Sequence, residues 1–386
     1  MKSNNELSIT GQTYEGLSVI NNMDIPELIA TLNNKENYIK MLDVIDRNDA
    51  EDYTQFNDLE MIYLFVHHER DLDDVKNRTA GTKKEYLREL LQFYYRFIHN
   101  GGIYEFDVSR CDITTLLKSI KPRNIRKYQQ WLKEAPLGKS GKPYSITTLA
   151  RKTVVLKAFL SFLNNKGYIT TPLHDALKTA NVNRRDLPDR DLNSVEVIQL
   201  MAYYRDHPIL YSLLAVLTTT GIRIQELCKT KMSDLSYDNG RYWLKVIGKG
   251  NVEREVLIHQ NVFNTIKEFR KRRGQNMVLD KGDSSPIFTT AKGKEYNYKY
   301  LSNYITKAIR KTELPFVIHR KNPIGPHTLR HAYAIISAEN GSDLLRISQS
   351  LGHKNVNTTM IYLEKTLARK NSASHSWANS DILNNI

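Results

Sequence analysis

Leu351-Gly352-His353-Lys354-Asn355-Val356-Asn357-Thr358-Thr359-Met360-Ile361-Tyr362 puts a glycine and a histidine after an apolar position. A tyrosine follows on a stretch whose pattern predicts a short helix. Upstream, His327-Thr328-Leu329-Arg330-His331 packs two histidines and an arginine into five residues. Alone, Tyr362 is one of 22 tyrosines, and the ordinary work of a tyrosine is packing. What matters is whether the chain supplies the cations that would turn this phenol into a nucleophile toward a phosphate.

The 386 residues predict two domains, with room for a small third. With 40% hydrophobic and 25% charged residues, the chain has the composition of a globular protein. Membrane spans need runs of about 18–20 apolar residues, and none is seen. Met1-Lys2-Ser3-Asn4-Asn5-Glu6 leads into no apolar signal region, so no secretory signal is expected. Cys111 and Cys228 make neither a disulfide framework nor a metal-ligand pattern. A reducing cytoplasm is the expected setting.

Net charge is +14, unevenly placed. Residues 1–75 carry 5 Lys/Arg against 16 Asp/Glu, and the remainder 51 against 26. So basic a body is the footprint of a polyanion partner, and nucleic acid is the first expectation.

The acidic residues 1–75 read as a mostly helical extension, with a protein-contact or regulatory role expected because phosphates would repel them. Residues 76–180 read as a helical block. Thr82-Lys83-Lys84-Glu85 resembles a capping box opening an apolar helix, and further helices are expected over 125–132 and 146–163. Between Lys121 and Lys157 the only acid is Glu134. Lys121, Arg123, Arg126, Lys127, Lys142, Arg151, Lys152 and Lys157 are therefore the candidate DNA-binding cations, interleaved with aromatic and hydroxyl side chains. Polar residues 181–192 read as a linker, and Asn193 with Glu196 caps the next helix. Residues 193–386 are mixed. Asp238-Asn239-Gly240 predicts a turn, and 242–247 with 253–258 an antiparallel strand pair carrying Lys249 at its tip.

Taken singly, Arg223, Lys249, His327, Arg330 and His353 each have an ordinary structural reading. Zinc is not expected, because the histidine spacing lacks His-Glu-x-x-His or a cysteine partner. Their order says more. Gly221-Ile222-Arg223-Ile224-Gln225-Glu226-Leu227 precedes Ile247-Gly248-Lys249-Gly250-Asn251 with Arg254. Pro326-His327-Thr328-Leu329-Arg330-His331-Ala332-Tyr333-Ala334 and then Leu351–Tyr362 follow. Together these motifs closely resemble the tyrosine site-specific recombinases, the family of Xer recombinases and of integrases from phages and conjugative elements.

The resemblance implies a mainly α fold with a small antiparallel β-sheet in the catalytic domain. It implies a helical core-binding domain over 76–180 and a catalytic domain over 193–386, together closing as a C-shaped clamp on DNA. Tyr362 would attack a phosphodiester and leave a 3′-phosphotyrosine, without ATP, metal or cofactor. Arg223 and Arg330 would hold the non-bridging oxygens. Lys249 would protonate the departing 5′-oxygen, with Lys245 as a weaker competitor. His327 and His353 would assist at the phosphate, and Glu226 would orient Arg223. Nearby cations would also favour the tyrosine's phenolate. The implied partners are double-stranded DNA recombination sites, a homo-tetramer with a dimer on each site, and an accessory or directionality protein, in a nucleoid-associated location. Integration of a mobile element, plasmid resolution and chromosome-dimer resolution all use such a site. The tail after Tyr362, with Leu367, Trp377, Ile382 and Leu383, reads equally as a docking segment for a neighbouring subunit and as a frayed end. The acidic extension departs from the arm-binding domain of many integrases. Two other readings are a type IB topoisomerase-like nicking-closing enzyme and a non-catalytic DNA-binding relative.

Overall fold

The computed structural model describes residues 25–46, 53–183, 186, 190–248, 250–370 and 372–373. Residues 1–24, Lys249 and the tail positions Trp377, Ile382 and Leu383 lie outside the described residues. The chain divides into two compact units, Met1–Leu187 and Pro188–Ile386. It is mainly helical with one small antiparallel sheet, the class expected from the sequence. Among the described residues, no helix is long and apolar enough to cross a membrane.

The first unit contains α1 (Ile25–Leu32), α2 (Tyr38–Asp46), α3 (Asp58–His67), α4 (Ala80–Asn100), α5 (Pro122–Glu134) and α6 (Ile146–Asn165). α4 begins earlier than Thr82. Thr79 takes the extended conformation and its side chain accepts the Thr82 N–H, so Thr82 lies inside the first turn. Glu85, read as the reciprocal cap, pairs instead with Arg88.

The acidic segment is not an appendage to the block that follows it. Leu28, Leu32, Met61, Phe65, Leu90, Phe97, Phe159 and Leu163 belong to one buried apolar cluster. α3 is apolar all round, as a helix with neighbours on every side must be. Asn57 and Glu60 cap its start reciprocally. Asp58, fully buried, ties that start to distant chain: its carboxyl accepts the Leu117 N–H at 2.9 Å and the Tyr168 hydroxyl at 2.7 Å. Burial raises the Asp58 pKa to about 8 against the opposing pull of these two bonds.

The second unit contains α7 (Ser194–Tyr203), α8 (Pro208–Thr220), α9 (Ile224–Lys229), β1 (Leu235–Asp238), β2 (Arg241–Ile247) and β3 (Glu253–Ile258). It continues with α10 (Gln260–Arg272), α11 (Tyr298–Lys311), α12 (Pro326–Glu339), α13 (Leu344–Leu351) and α14 (Val356–Lys370). Asn193 and Glu196 cap α7 as their spacing predicts. The sheet has three strands in the order β1-β2-β3, one more than the pair read from the sequence. Asn239 and Gly240 both have positive φ, which lets a two-residue turn follow the strand twist and brings β1 beside β2. Leu235, Leu244, Val246, Val256 and Ile258 fill one face at the two-residue period. α8 is apolar on nearly every side and packs against α10 and α12, so it forms the centre of this unit.

Asp58→Ala should destabilise the first unit by about 2–4 kcal/mol, since it orphans a buried N–H and a buried hydroxyl. Tyr168→Phe, which removes one of the two bonds, should cost less. Urea unfolding of both variants measures the difference. The Asp58 pKa is raised on folding, so its contribution is fullest below about pH 4. It falls as pH rises toward 8, and Asp58→Asn should flatten that slope.

Candidate active site

Two helix ends build the centre of the site. α8 stops at Gly221, in the left-handed region at φ 61°, and α13 stops at Gly352, at φ 65°. Their last carbonyls turn toward one side chain. Arg330 of α12 donates from Nη1 to the Gly221 carbonyl at 2.5 Å and from Nη2 to the Leu351 carbonyl at 2.6 Å. Gly221 also has no room for a Cβ, which would sit 2.6 Å from the Tyr333 ring and 2.7 Å from Leu351. Arg330 is 2% exposed. Among the described residues it has no carboxylate within salt-bridge distance, so carbonyl dipoles at helix C-termini bear its charge. Burial, then Arg223, lower its pKa to about 10, which leaves it a cation at neutral pH.

Arg223 is the N-cap residue of α9. Glu226 accepts its backbone N–H and its Nη1, both at 2.8 Å. The same carboxylate takes Arg254 of β3 in a two-pronged contact, at 2.7 and 3.2 Å. Arg254 also donates from Nε to the Ser350 carbonyl at 3.0 Å, so β3 is tied to the end of α13. Burial works to raise the Glu226 pKa, but hydrogen bonds from Arg254 and Arg223 outweigh it and leave the group below its usual value.

Three histidines surround Tyr362. The His331 ring lies 3.6 Å from the tyrosine ring, His353 5.5 Å and His327 6.3 Å, centroid to centroid. Tyr362 is largely buried, packed with Ile335, Ile347 and Leu351. Burial and the neighbouring arginines drive the pKa of His327 and His353 down to about 4, and that of His331, also pressed by His327, to about 3. All three are neutral near pH 7. Both His331 nitrogens are buried, with no partner among the described residues. His353 Nε2 lies 3.0 Å from Arg330 Nη2, and its Nδ1 lies 2.7 Å from the Thr359 hydroxyl.

Beside these groups opens a cleft of about 540 Å³. Arg223, His327 and Arg330 form one side, and Tyr298, Lys299, Ser302 and Asn303 of α11 the other. The structure thus brings Arg223, Glu226, His327, Arg330, His353 and Tyr362 into one region of the second unit. Lys249 is outside the described residues, although Gly248 donates to the Val252 carbonyl across the base of its loop. Lys245 pairs with Glu253 on the exposed side of the sheet. Among the described residues, no three His, Cys, Asp or Glu side chains are grouped to hold a metal ion.

Sequence reasoning did not single out Arg254, His331 or Thr359 as site residues. Each lies within a motif already quoted; Arg254 meets Glu226 and the His331 ring meets Tyr362, both remote in sequence, whereas Thr359 meets His353 of its own motif. The candidate DNA-binding cations belong to the first unit and differ among themselves. Lys121, Arg123, Arg126 and Lys142 are exposed, and Lys157 is half-buried. Lys127 is paired with Glu105 and Arg151 with Glu89. Lys152 is 9% exposed and bound to the buried Glu89 of α4, so its charge is met inside the fold.

Residues 190–369 match the model of the phage integrase family. The tyrosine recombinase XerC of Listeria welshimeri serovar 6b is 28% identical over 318 residues, covering 81% of this chain and 95% of the relative. The XerC of Natranaerobius thermophilus is 27% identical over 305 residues, covering 76% and 91%. Among solved structures, the XerH site-specific recombinase bound to a palindromic difH substrate matches with a TM-score of 0.57 at 20% identity, over 76% of this chain and 80% of that one. A lambda integrase dimer bound to a COC′ core site matches at 0.56 and 17%, over 79% and 77%. At these identities the two solved structures establish a common fold.

Gly221→Ala should destabilise the second unit by more than the ~1–2 kcal/mol of a left-handed alanine, because the new methyl also meets Tyr333 and Leu351. Gly102→Ala, whose Cβ meets nothing within 4 Å, is the control in the same urea titration. The three histidines are depressed on folding, so the unfolded chain takes up protons that the folded state refuses. Their stabilising contribution is complete above about pH 6.5 and is lost as pH falls through about 4. Melting temperatures from neutrality downward should show this loss, with a shallower slope in His331→Phe.

Proposed function

We propose that this chain, whose residues 190–369 match the phage integrase family model and which is similar to XerC tyrosine recombinases, cuts and rejoins double-stranded DNA at specific sites through Tyr362. The observation that carries the proposal is Arg330. A buried arginine with no carboxylate within salt-bridge distance among the described residues is poised for an anion, and it lines a cleft with Arg223 and His327, next to Tyr362. A phosphodiester supplies that charge without requiring a contact to any particular base.

In this reading the Tyr362 oxygen bonds to phosphorus as the bond from phosphorus to the 5′-oxygen breaks. The phenol proton is lost and the leaving 5′-oxygen gains one. A 3′-phosphotyrosine and a free 5′-hydroxyl result. Attack by the 5′-hydroxyl of a second site reverses the chemistry, so one ester bond replaces another and ATP is not consumed. Arg223 and Arg330 neutralise charge on the equatorial oxygens. Two of the five N–H groups of Arg330 are engaged by the Gly221 and Leu351 carbonyls, and its Nη2 also lies 3.0 Å from His353 Nε2. Lys249, between β2 and β3 in the sequence, is assigned as the general acid. Glu226 holds Arg223 from below while Arg254 balances its charge.

We assign residues 193–386 to catalysis and residues 76–180 to the flanking duplex, gripped by exposed cations such as Arg123 and Arg126. Solved lambda integrase complexes include a dimer on a core site and a tetramer on a Holliday junction. The same assembly, a dimer on each of two sites, is the reading for this chain.

Tyr362→Phe should bind its DNA site in a mobility-shift assay yet form no denaturant-resistant adduct. Undiminished adducts in that variant would remove Tyr362 from the nucleophile's role. Arg223→Ala should slow adduct formation by about 10²–10³-fold, the cost of losing one charge-stabilising donor. Strand exchange between two sites distinguishes a recombinase from a nicking-closing enzyme, which would relax supercoils without site preference.

A further inference from the structure

We propose that Arg254 is a positioning residue for the strand-transfer reaction: by filling two acceptor sites of Glu226 and offsetting its charge, it keeps the guanidinium of Arg223 free for the phosphate.

Arg254 goes against the pattern of its strand. It shares the inward face of β3 with Val256 and Ile258, and its side chain is only 11% exposed. A cation is tolerated in such a place only where its donors and its charge are met. Nε donates to the Ser350 carbonyl at 3.0 Å, at the end of α13. Nη1 and Nη2 donate to the two oxygens of Glu226, at 3.2 and 2.7 Å. A Cβ on Gly248 would lie 3.3 Å from Nη1 and one on Gly352 3.1 Å, so two glycines make room for this guanidinium.

Lone pairs at Glu226 decide what Arg223 can do. A carboxylate offers about four acceptor sites on its two oxygens. Oε1 takes Nη1 of Arg223 and Nη1 of Arg254. Oε2 takes the backbone N–H of Arg223 and Nη2 of Arg254. All the sites are filled. Arg223 therefore gives this acid one side-chain bond, although a guanidinium beside a carboxylate of its own commonly binds with two. Its side chain, 35% exposed, lines the cleft instead.

Charge points the same way. Two guanidiniums and one carboxylate leave a net positive charge, and without Arg254 they leave none. Burial works to raise the Glu226 pKa, and the Arg254 hydrogen bonds come first among the contacts that overcome it. Arg254 is not among the residues that line the cleft, so it acts on Arg223 only through Glu226. The geometric part stands on the distances. The effect on rate rests on the reading of Arg223 as a phosphate ligand given above.

Two measurements on the full chain separate those parts. The first needs no DNA. A crystal structure of Arg254→Met should show the Arg223 guanidinium turned onto Glu226 with two nitrogens in contact. Arg223 still held through one nitrogen would overturn the proposal. The second is a double-mutant cycle on the rate of covalent capture of a duplex library randomised across the core, with DNA in excess. With Glu226 in place, Arg254→Met should slow capture by about 10- to 100-fold, less than the loss of Arg223 altogether. In a Glu226→Gln background no carboxylate draws Arg223 back, and the same substitution should change the rate by less than about threefold. An equal loss in both backgrounds would overturn the proposal and leave Arg254 as the tie between β3 and Ser350 alone. Arg254→Gln removes the charge but keeps a donor, and the same cycle is read from it where Arg254→Met does not fold. A wild type that captures no DNA would instead overturn the reading of Tyr362 as nucleophile, with the crystal structure still deciding the Glu226 geometry.

Discussion

A buried guanidinium held by the ends of two helices is the constraint on which the second unit depends. Taking a cation out of water is costly unless every N–H and the charge itself are met. The usual answer is a carboxylate. Here the answer is a pair of helix C-termini, each closed by a left-handed glycine that turns its last carbonyls onto Arg330. Carbonyl dipoles offset part of the charge and leave the rest. A paired arginine would have little left for a phosphate, and an exposed one would be screened by water. The arrangement fixes α8, α12 and α13 relative to one another and keeps the cation reactive toward an anion.

Around that centre, opposite solutions are used for the other two arginines. Arg223 and Arg254 share the single carboxylate of Glu226, which is itself buried. A carboxylate bound by two guanidiniums leaves a net positive pair, so the cleft stays attractive to phosphate even where a salt bridge is present. Arg254 does not line the cleft. It connects β3 to Ser350, two residues from Gly352, where an added Cβ would lie 3.1 Å from Arg254 Nη1. The four sequence motifs are therefore joined by bonds from each to another.

Much of this was legible beforehand, and what was not has a common cause. The cap at Asn193, the turn at Asn239-Gly240 and the alternating strands were read correctly, and the start of α4 within a turn, because each rests on neighbours only a few residues apart. The basic run from Lys121 to Lys157 appeared to lack acids because only its own residues were in view. Folding brings Glu85 and Glu89 of α4 and Glu105 against it, and Lys152 is drawn inside. Residues 25–67 looked like a separate acidic extension because net charge says nothing about the apolar side of a helix. Their buried leucines and aromatics share a core with α4 and α6, and Asp58 is bonded to Leu117 and Tyr168.

By itself the sequence determined the chemistry within reach. The order and spacing of Arg223, Glu226, Lys249, His327, Arg330, His353 and Tyr362 carry the family resemblance from which a phosphate-directed tyrosine is proposed. Only the tertiary structure decided how those groups are spent. Whether a lysine is left exposed or meets a glutamate depends on atoms that lie far apart along the chain. Hydrogen bonds act over about 3 Å, and which carbonyls fix the direction of Arg330 is known only once the helices have packed.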